Sequence, residues 1–291
     1  MLSKVGASTS APLIRRTWPQ LLGALAIFVL GSDRAAAQLM VNPTRMVLEH
    51  NQRAGQLEII NNSARTVTYR ITLVNRRMDE NGRFLAAESA AAGELFADSM
   101  LSYSPRRATL APGAGQVIRL MARKPADLAA GEYRSHLLFS EQAEPTGQSS
   151  AQAPAENAAD IGVSLTALVG ISVPIIMRVG DTAATVTLGN LALPSAAADQ
   201  PASLSVDVQR SGTQSCYGDL SASFTPAGGV ALEIGRVNGV AVYMPNALRH
   251  VKIPLSLPAG AVLANGTVTV SYRERPEHHG APAVEASLSL H

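Results

Sequence analysis

One stretch, residues 161–178, constrains the fold of this chain more than any other. It reads IGVSLTALVGISVPIIMR, and an apolar residue recurs at every second position: Val163, Leu165, Ala167, Val169, Ile171 and Val173. Between them lie three hydroxyl residues and a glycine, with Leu168 as the one large apolar exception. A period of two places an apolar row on one face of an extended strand. The stretch is therefore predicted to be a β-strand.

Two interpretations of this strand are open at the level of sequence. It is either an internal strand of a β-sandwich that faces its own core, or a sheet-edge strand that lends its apolar row to another protein. The preceding segment, residues 141–160, is polar, rich in Pro, Ala and Gln, and without periodicity. Such a composition predicts a long loop leading into the strand, which favours the second interpretation.

The composition bounds the possible functions. The chain has 291 residues, of which 46% are hydrophobic and 16% charged, so it can build two domains with real cores. A formal net charge of +2 and an aromatic content of 4% argue against a nucleic-acid partner. The sequence contains no phosphate-binding loop, nucleophile elbow or His-Glu-x-x-His motif. We therefore expect no catalytic residue, no cofactor and no enzymatic activity.

Cysteine and histidine are used sparingly. The single cysteine, Cys216, excludes an internal disulfide and is predicted to be a small buried side chain. The adjacent histidines His278 and His279 lie in the sequence EHHGAP, which indicates a surface loop. We therefore expect no metal site.

Residues 1–37 have the pattern of a signal peptide. Arg15 and Arg16 form a basic region, Leu21–Leu30 is an apolar run too short to span a bilayer, and three alanines precede Gln38. No second apolar run of about 20 residues follows, so we expect no membrane insertion. The mature chain is expected to begin at or near Gln38.

The remaining sequence predicts an all-β protein with two domains, residues 38–180 and 181–291. In the first, the predicted strands are Met46–Leu48, Leu57–Ile60, Val67–Val74, Leu101–Tyr103, Val117–Met121 and Tyr133–Phe139. Turns are predicted at Asn81-Gly82 and Pro112-Gly113, and a helix is possible only at Ala86–Gly93. The second domain repeats the short-strand pattern, including separate strands at Val230–Ile234 and Val240–Tyr243. This pattern is typical of immunoglobulin-like sandwiches.

Five segments in order resemble the periplasmic pilus-assembly chaperones, the PapD-like family. They are VNPTRMV (41–47), LEIINN (57–62), LAPGAGQVIRL (110–120), GEYRSHLLF (131–139) and VPIIMR (173–178). The resemblance covers nearly all of the mature chain and is strongest in the first domain. The segment GEYRSH, with residues 209–218, looks most like the archaic, Csu-type branch.

The resemblance implies a fold and a mechanism. Family members have two immunoglobulin-like domains in a boomerang arrangement. In the periplasm they supply a missing strand to pilin subunits, which they then deliver to an outer-membrane usher. This strand donation is a known instance of β-augmentation. The matching donor strand here is residues 161–173, and its inserted side chains would be Val163, Leu165, Ala167, Val169 and Ile171. The implied partners are pilin subunits and the usher, and the implied processes are fimbrium biogenesis and cell wall organization.

The resemblance also assigns charged residues. Arg45 matches an arginine that anchors the subunit's C-terminal carboxylate together with a lysine, although pairing with the nearby Glu49 is the simpler interpretation from sequence alone. The position expected to hold that lysine is Pro174, and Arg134 or His136 on a neighbouring strand is a possible substitute. Arg178 matches an arginine that ties the two domains together, with Glu132 as its partner.

Two other functions compete with this hypothesis. A structural or adhesive fibre component should have an incomplete fold and an N-terminal donor extension, whereas no alternating tail precedes Val41. A secreted enzyme or carbohydrate-binding module should carry clustered carboxylates or aromatic residues, and Trp and Phe are scarce here.

Overall fold

The computed structural model describes residues 38–142, 170–193, 202–257, 263–275 and 283–291. In these ranges the regular structure is entirely β-strand, apart from one 3₁₀ turn at Asp98–Met100. Among them, no helix has the length and apolar character needed to cross a bilayer. The predicted all-β class is confirmed. The predicted signal peptide and the histidine pair His278–His279 lie outside the described residues.

The first group of strands forms a two-sheet sandwich and a separate hairpin. The strands are β1 Leu39–Asn42, β2 Met46–Leu48, β3 Ala54–Asn61, β4 Val67–Val74, β5 Arg76–Met78, β6 Phe84–Ala86, β7 Leu101–Ser104, β8 Arg107–Leu110, β9 Gly115–Ala122, β10 Gly131–Glu141 and β11 Gly170–Val179. One sheet has the order β1-β3-β9-β7, the other β2-β11-β10-β4-β8, and β5 pairs only with β6. The core lies between the two sheets. Val67, Tyr69 and Ile71 of β4 alternate into it, as their period predicts.

The second group forms another sandwich with its own core. Its strands are β12 Ala184–Ala192, β13 Ser203–Gly212, β14 Cys216–Pro226, β15 Leu232–Val242, β16 Leu248–Pro254, β17 Gly266–Glu274 and β18 Val284–Leu290. They form the sheets β12-β13-β16 and β15-β14-β17-β18. Cys216 is fully buried in this core, and burial raises the pKa of its thiol.

Two local predictions are wrong. Ala86–Gly93 is not helical: Ala87 continues the hairpin by donating its N–H to Asn75, and the segment then runs through bends to Gly93, whose φ is +78°. A short alanine run cannot offset the cost of helix nucleation when its first backbone groups are already bonded. The two strands predicted at 230–234 and 240–243 are one strand, β15, which absorbs its irregular positions as register shifts against β14.

The two sandwiches pack directly on each other. Residues 36–291 form one compact unit, and a small apolar cluster of Met78, Ile176, Ala241 and Tyr243 joins strands from both sandwiches. The sheets divide between β11 and β12, next to the predicted boundary at residue 180. The exact domain limits and the boomerang arrangement stay predictions.

Candidate functional site at the junction of the two sandwiches

The N-terminal half of β11 is an open sheet edge within the described residues. On one side β11 pairs with β10 along its whole length, from Gly170 opposite Ser140 to Val179 opposite Gly131. On the other side β2 pairs in parallel only with Ile175–Met177. Among the residues that the structure describes, Gly170–Pro174 therefore has a strand partner on one side only. An open edge of this kind can accept a strand from another chain.

The backbone groups of this half-strand point to the open side. Arg134 of β10 donates its N–H to Leu95 at 2.8 Å rather than to β11. Since successive residues of a strand turn their backbone groups to alternate sides, the even-numbered residues of β10 face away from β11. The β11 residues opposite them are Gly170, Ser172 and Pro174. The backbone hydrogen-bonding groups of these three residues therefore point to the open edge. Pro174 contributes only a carbonyl, so regular pairing weakens there.

Both faces of β10 and β11 are covered. Odd-numbered residues such as Leu137, Val173 and Ile175 lie in the core of the first sandwich. Even-numbered residues, including Glu132, Arg134, His136, Ile176 and Arg178, are buried on the opposite face, which meets the second sandwich. The candidate site is therefore a charged layer between two sandwiches rather than a solvent-exposed surface.

Arg178 and Glu132 form the centre of a network that crosses the junction. Arg178 Nε lies 3.2 Å from Glu132 Oε2, and its Nη1 donates to Glu49 Oε1 at 2.8 Å. Ser215, in the second sandwich, donates its backbone N–H to Glu132 Oε2 at 2.9 Å and its hydroxyl to Glu132 Oε1. The Glu132 carboxylate thus connects a first-sandwich arginine to second-sandwich backbone.

Arg45 stands where the open edge begins. It precedes β2, whose Met46 pairs with Ile175, so Arg45 lies beside Pro174. The residue is 5% exposed, and its guanidinium carbon lies 4.9 Å from the ring centroid of Tyr217 on β14. Pairing with Glu49 was the simpler sequence interpretation, but Glu49 binds Arg178.

Arg134 and His136 lie on the same face, as their spacing predicts, and their roles as anchors stay predictions. Arg134 donates to the carbonyls of Met244 and Arg76 at 3.2 and 3.3 Å, and its guanidinium carbon lies 4.6 Å from the Tyr243 ring centroid. Its donors thus hold the two sandwiches together.

His136 is directly opposite Pro174 and is fully buried. Burial, assisted by the positive charges of Arg134 and Arg76, lowers the pKa of His136 to about 3. In the described part of the chain neither ring nitrogen has a hydrogen-bond partner, and the ring edge contacts Phe84. His136 is neutral at neutral pH in the unbound protein, which argues against it as the second positive charge, and its assignment to the anchor stays a prediction.

The predicted donor row is described only at its end. Val163, Leu165, Ala167 and Val169 lie outside the described residues. Ile171, opposite Phe139, is half-buried and packs against the core of the first sandwich. The assignment of Ile171 to the donor row stays a prediction. In the structure, Ile171 lies where the apolar row begins to pack against the core of the first sandwich.

The hairpin β5–β6 is the part of the junction that sequence reasoning missed. Asn246 donates to the Met78 carbonyl at 2.6 Å, and His250 of β16 donates its N–H to the Glu80 carbonyl at 2.7 Å. The centroid of the Phe84 ring, in β6 of the hairpin, lies 5.9 Å from that of the Tyr243 ring. The turn at Asn81-Gly82 marks a hairpin in the sequence, but the strands on either side have only three residues each, too few to show an alternating pattern.

The His250 side chain makes this hairpin contact sensitive to pH. Its Nδ1 lies 2.6 Å from Asp207 Oδ1, and its Nε2 lies 3.7 Å from Glu80 Oε2. The hydrogen bond to Asp207, with a smaller contribution from Glu80, raises the pKa of His250. Because the folded-state pKa is higher, the stabilisation is complete below the ordinary histidine value of about 6.5 and is lost as pH rises through the raised value.

We therefore expect His250→Gln to lower the free energy of unfolding at pH 5.5 and to have little effect at pH 8.5. Urea unfolding of wild type and variant at both pH values measures this difference. An equal loss at the two pH values would show that the ring contributes by packing and not by charge.

The likeness of this chain to known proteins lies in solved structures. No family model and no curated protein matches the chain. The solved structures that are similar to it include chaperones. The E. coli chaperone DraB has 13% identity and a TM-score of 0.42, and the match covers 85% of this chain and 95% of DraB. The Pseudomonas aeruginosa CupB2 chaperone has 13% identity and a TM-score of 0.41, with 87% of this chain and all of CupB2 covered.

A third structure is the CsuC–CsuE chaperone–tip adhesion subunit pre-assembly complex from archaic chaperone-usher Csu pili of Acinetobacter baumannii. It has 11% identity and a TM-score of 0.37, and the match covers 72% of this chain and 91% of the matched chain. Scores and identities of this size carry no argument about function.

Proposed function

We propose that this protein is a periplasmic chaperone that binds secreted pilin subunits, completes their fold with its own strand and delivers them to an outer-membrane usher. The observation that carries the proposal is the open edge of β11, whose backbone groups at Gly170, Ser172 and Pro174 lack a strand partner on one side among the described residues. The alternating row of residues 163–169 leads directly into this edge. The signal-peptide pattern of residues 1–37 supports export to the periplasm.

The apolar row supplies the binding energy in this proposal. Each fully buried large aliphatic side chain contributes about 1.5–3 kcal/mol, so the four large residues Val163, Leu165, Val169 and Ile171 contribute on the order of 10 kcal/mol before costs. The loss of translational freedom and the ordering of the strand offset much of this gain. The backbone pairing adds main-chain hydrogen bonds, and the spacing of the side chains gives specificity.

In this proposal Arg45, at one end of the open edge, sets the register of the bound subunit strand. Arg45 lies where pairing between β2 and β11 begins, so a subunit strand that follows the edge would end beside its guanidinium. A guanidinium can bind a terminal carboxylate with two parallel hydrogen bonds. Arg134 adds positive charge through space, since its own donors hold Met244 and Arg76.

We expect Arg45→Ala to weaken subunit binding by about 2–5 kcal/mol, because a carboxylate would then be buried without its cation. Affinity should be nearly independent of pH between 6 and 8, since arginine stays protonated and His136 stays neutral. Titration calorimetry at both pH values measures this. Wild-type affinity in the variant would remove Arg45 from the site.

Co-expression tests the function as a whole. The chaperone, recovered from periplasmic extract with an N-terminus near Gln38, should form a one-to-one complex with a β-sandwich subunit encoded beside its gene. Without it, the subunit should be degraded or aggregated. Subunits that accumulate in folded form equally well without this protein would contradict the proposal. Self-polymerisation of this chain would instead support the alternative, a structural or adhesive fibre component.

A further inference from the structure

Tyr217 of the second sandwich presents its ring to Arg45 of the first. The guanidinium carbon of Arg45 lies over this ring, 4.9 Å from its centroid. A cation over an aromatic face is attracted by the negative potential of the ring, and the attraction grows when both groups are removed from water. Arg45 is buried and Tyr217 is half-buried, next to the apolar cluster that joins the sandwiches.

Tyr217 has close neighbours at its backbone and at the end of its ring. The Tyr217 carbonyl accepts a hydrogen bond from the N–H of Arg275 at 3.1 Å. Gly239 leaves room for the phenol, because a Cβ there would lie 3.0 Å from the Tyr217 hydroxyl oxygen. The same glycine donates its N–H to Asp219 at 2.8 Å, with φ at +72°. The hydroxyl end of the ring therefore lies close to the backbone of Gly239.

A second arginine lies over the same ring and forms an ion pair with a carboxylate. The Arg275 guanidinium carbon is 5.1 Å from the Tyr217 centroid, and Arg275 Nη2 lies 2.9 Å from Asp219 Oδ1. The carboxylate of Asp219 is thus engaged with Arg275. The Arg275–Asp219 ion pair therefore lies next to the Tyr217 ring.

The type of contact is relevant to carboxylate binding. A carboxylate binds a guanidinium through the N–H groups that lie in the guanidinium plane. An aromatic ring instead attracts the guanidinium to the face of the ring. A ring can therefore hold an arginine without competing for the donors that a ligand uses. An acidic residue in the same position would compete for them.

From these contacts we infer that Tyr217 is a positioning residue, which holds the Arg45 guanidinium at the end of the open edge of β11. The second sandwich then takes part in recognition of the subunit's terminal carboxylate. The inference rests on the proposed function. It adds a residue to that site and a reason why the two sandwiches act together.

The test compares two forms of one probe, a synthetic hexapeptide of alternating threonine and valine, as free acid and as C-terminal amide. Wild type should prefer the acid. In Tyr217→Leu that preference should fall about ten-fold, while affinity for the amide stays unchanged, because only the charge contact is lost. Tyr217→Phe keeps the ring and should restore the preference. In NMR spectra the Arg45 Nε–Hε signal should carry a ring-current shift in wild type and Tyr217→Phe that disappears in Tyr217→Leu.

The outcomes separate this inference from the proposed function. An acid preference that survives in Tyr217→Leu would overturn the role of Tyr217 and leave the Arg45 anchor intact. Equal wild-type affinity for acid and amide would overturn the Arg45 anchor and the role of Tyr217 together. Equal loss of affinity for both forms in Tyr217→Leu would show a structural role only and would also overturn the inference.

Discussion

The substitutions Leu165→Asp and Val169→Asp are each expected to abolish binding of a pilin subunit and to leave the protein folded. Both side chains belong to the apolar row that leads into the open edge of β11. A carboxylate at either position would have to enter the apolar groove of the subunit without a partner, which costs several kcal/mol and lowers affinity by about 1,000-fold or more. In the unbound protein an open edge tolerates the charge.

Two control variants make this prediction specific. Thr166→Asp lies on the opposite face of the same predicted strand and should retain binding. Val173→Asp lies in the same row but is buried in the core of the first sandwich, so it should unfold the protein. Subunit pull-down and circular dichroism would be run on all four variants. Unfolding by Leu165→Asp would show that the row faces its own core, as in the other interpretation of the sequence.

The substitution Glu132→Ala is expected to lower the free energy of unfolding by about 3–5 kcal/mol, because it removes the buried carboxylate of a buried ion pair. The Glu132 side chain is fully buried against Arg178, whose side chain is 5% exposed. It also accepts both hydrogen bonds from Ser215, the residue that connects the second sandwich to the network. The alanine variant would leave these donors unsatisfied.

Glu49→Gln provides the matched control, since Glu49 binds the same arginine with its side chain 37% exposed. Exposed ion pairs contribute about 0–1 kcal/mol, so this variant should be close to wild type. Urea unfolding of both variants gives the comparison. Equal stability losses in Glu132→Ala and Glu49→Gln would mean that burial does not decide the strength of this network.

Periodicity determined the all-β class and much of the first core. The alternation in β4 correctly placed Val67, Tyr69 and Ile71 inside, because side-chain direction in a strand depends only on local backbone geometry. The turn at Gly113 was predicted for the same kind of reason, and its φ is +72°. Alternation also placed Arg134 and His136 on one face. These features follow from residues close together in the chain.

Only the tertiary structure decided what that face meets. Arg134 binds Met244 and Arg45 lies over the Tyr217 ring because the second sandwich packs against this part of the first. His136 loses its charge because it is buried, with its ring against Phe84 of the β5–β6 hairpin. Periodicity specifies which face of a strand a residue occupies but not which distant segment packs on it. The burial of a side chain depends on that packing, and the pKa of a histidine depends on its burial. The sequence by itself therefore determined the strands and their faces, whereas tertiary packing determined the chemistry of the site.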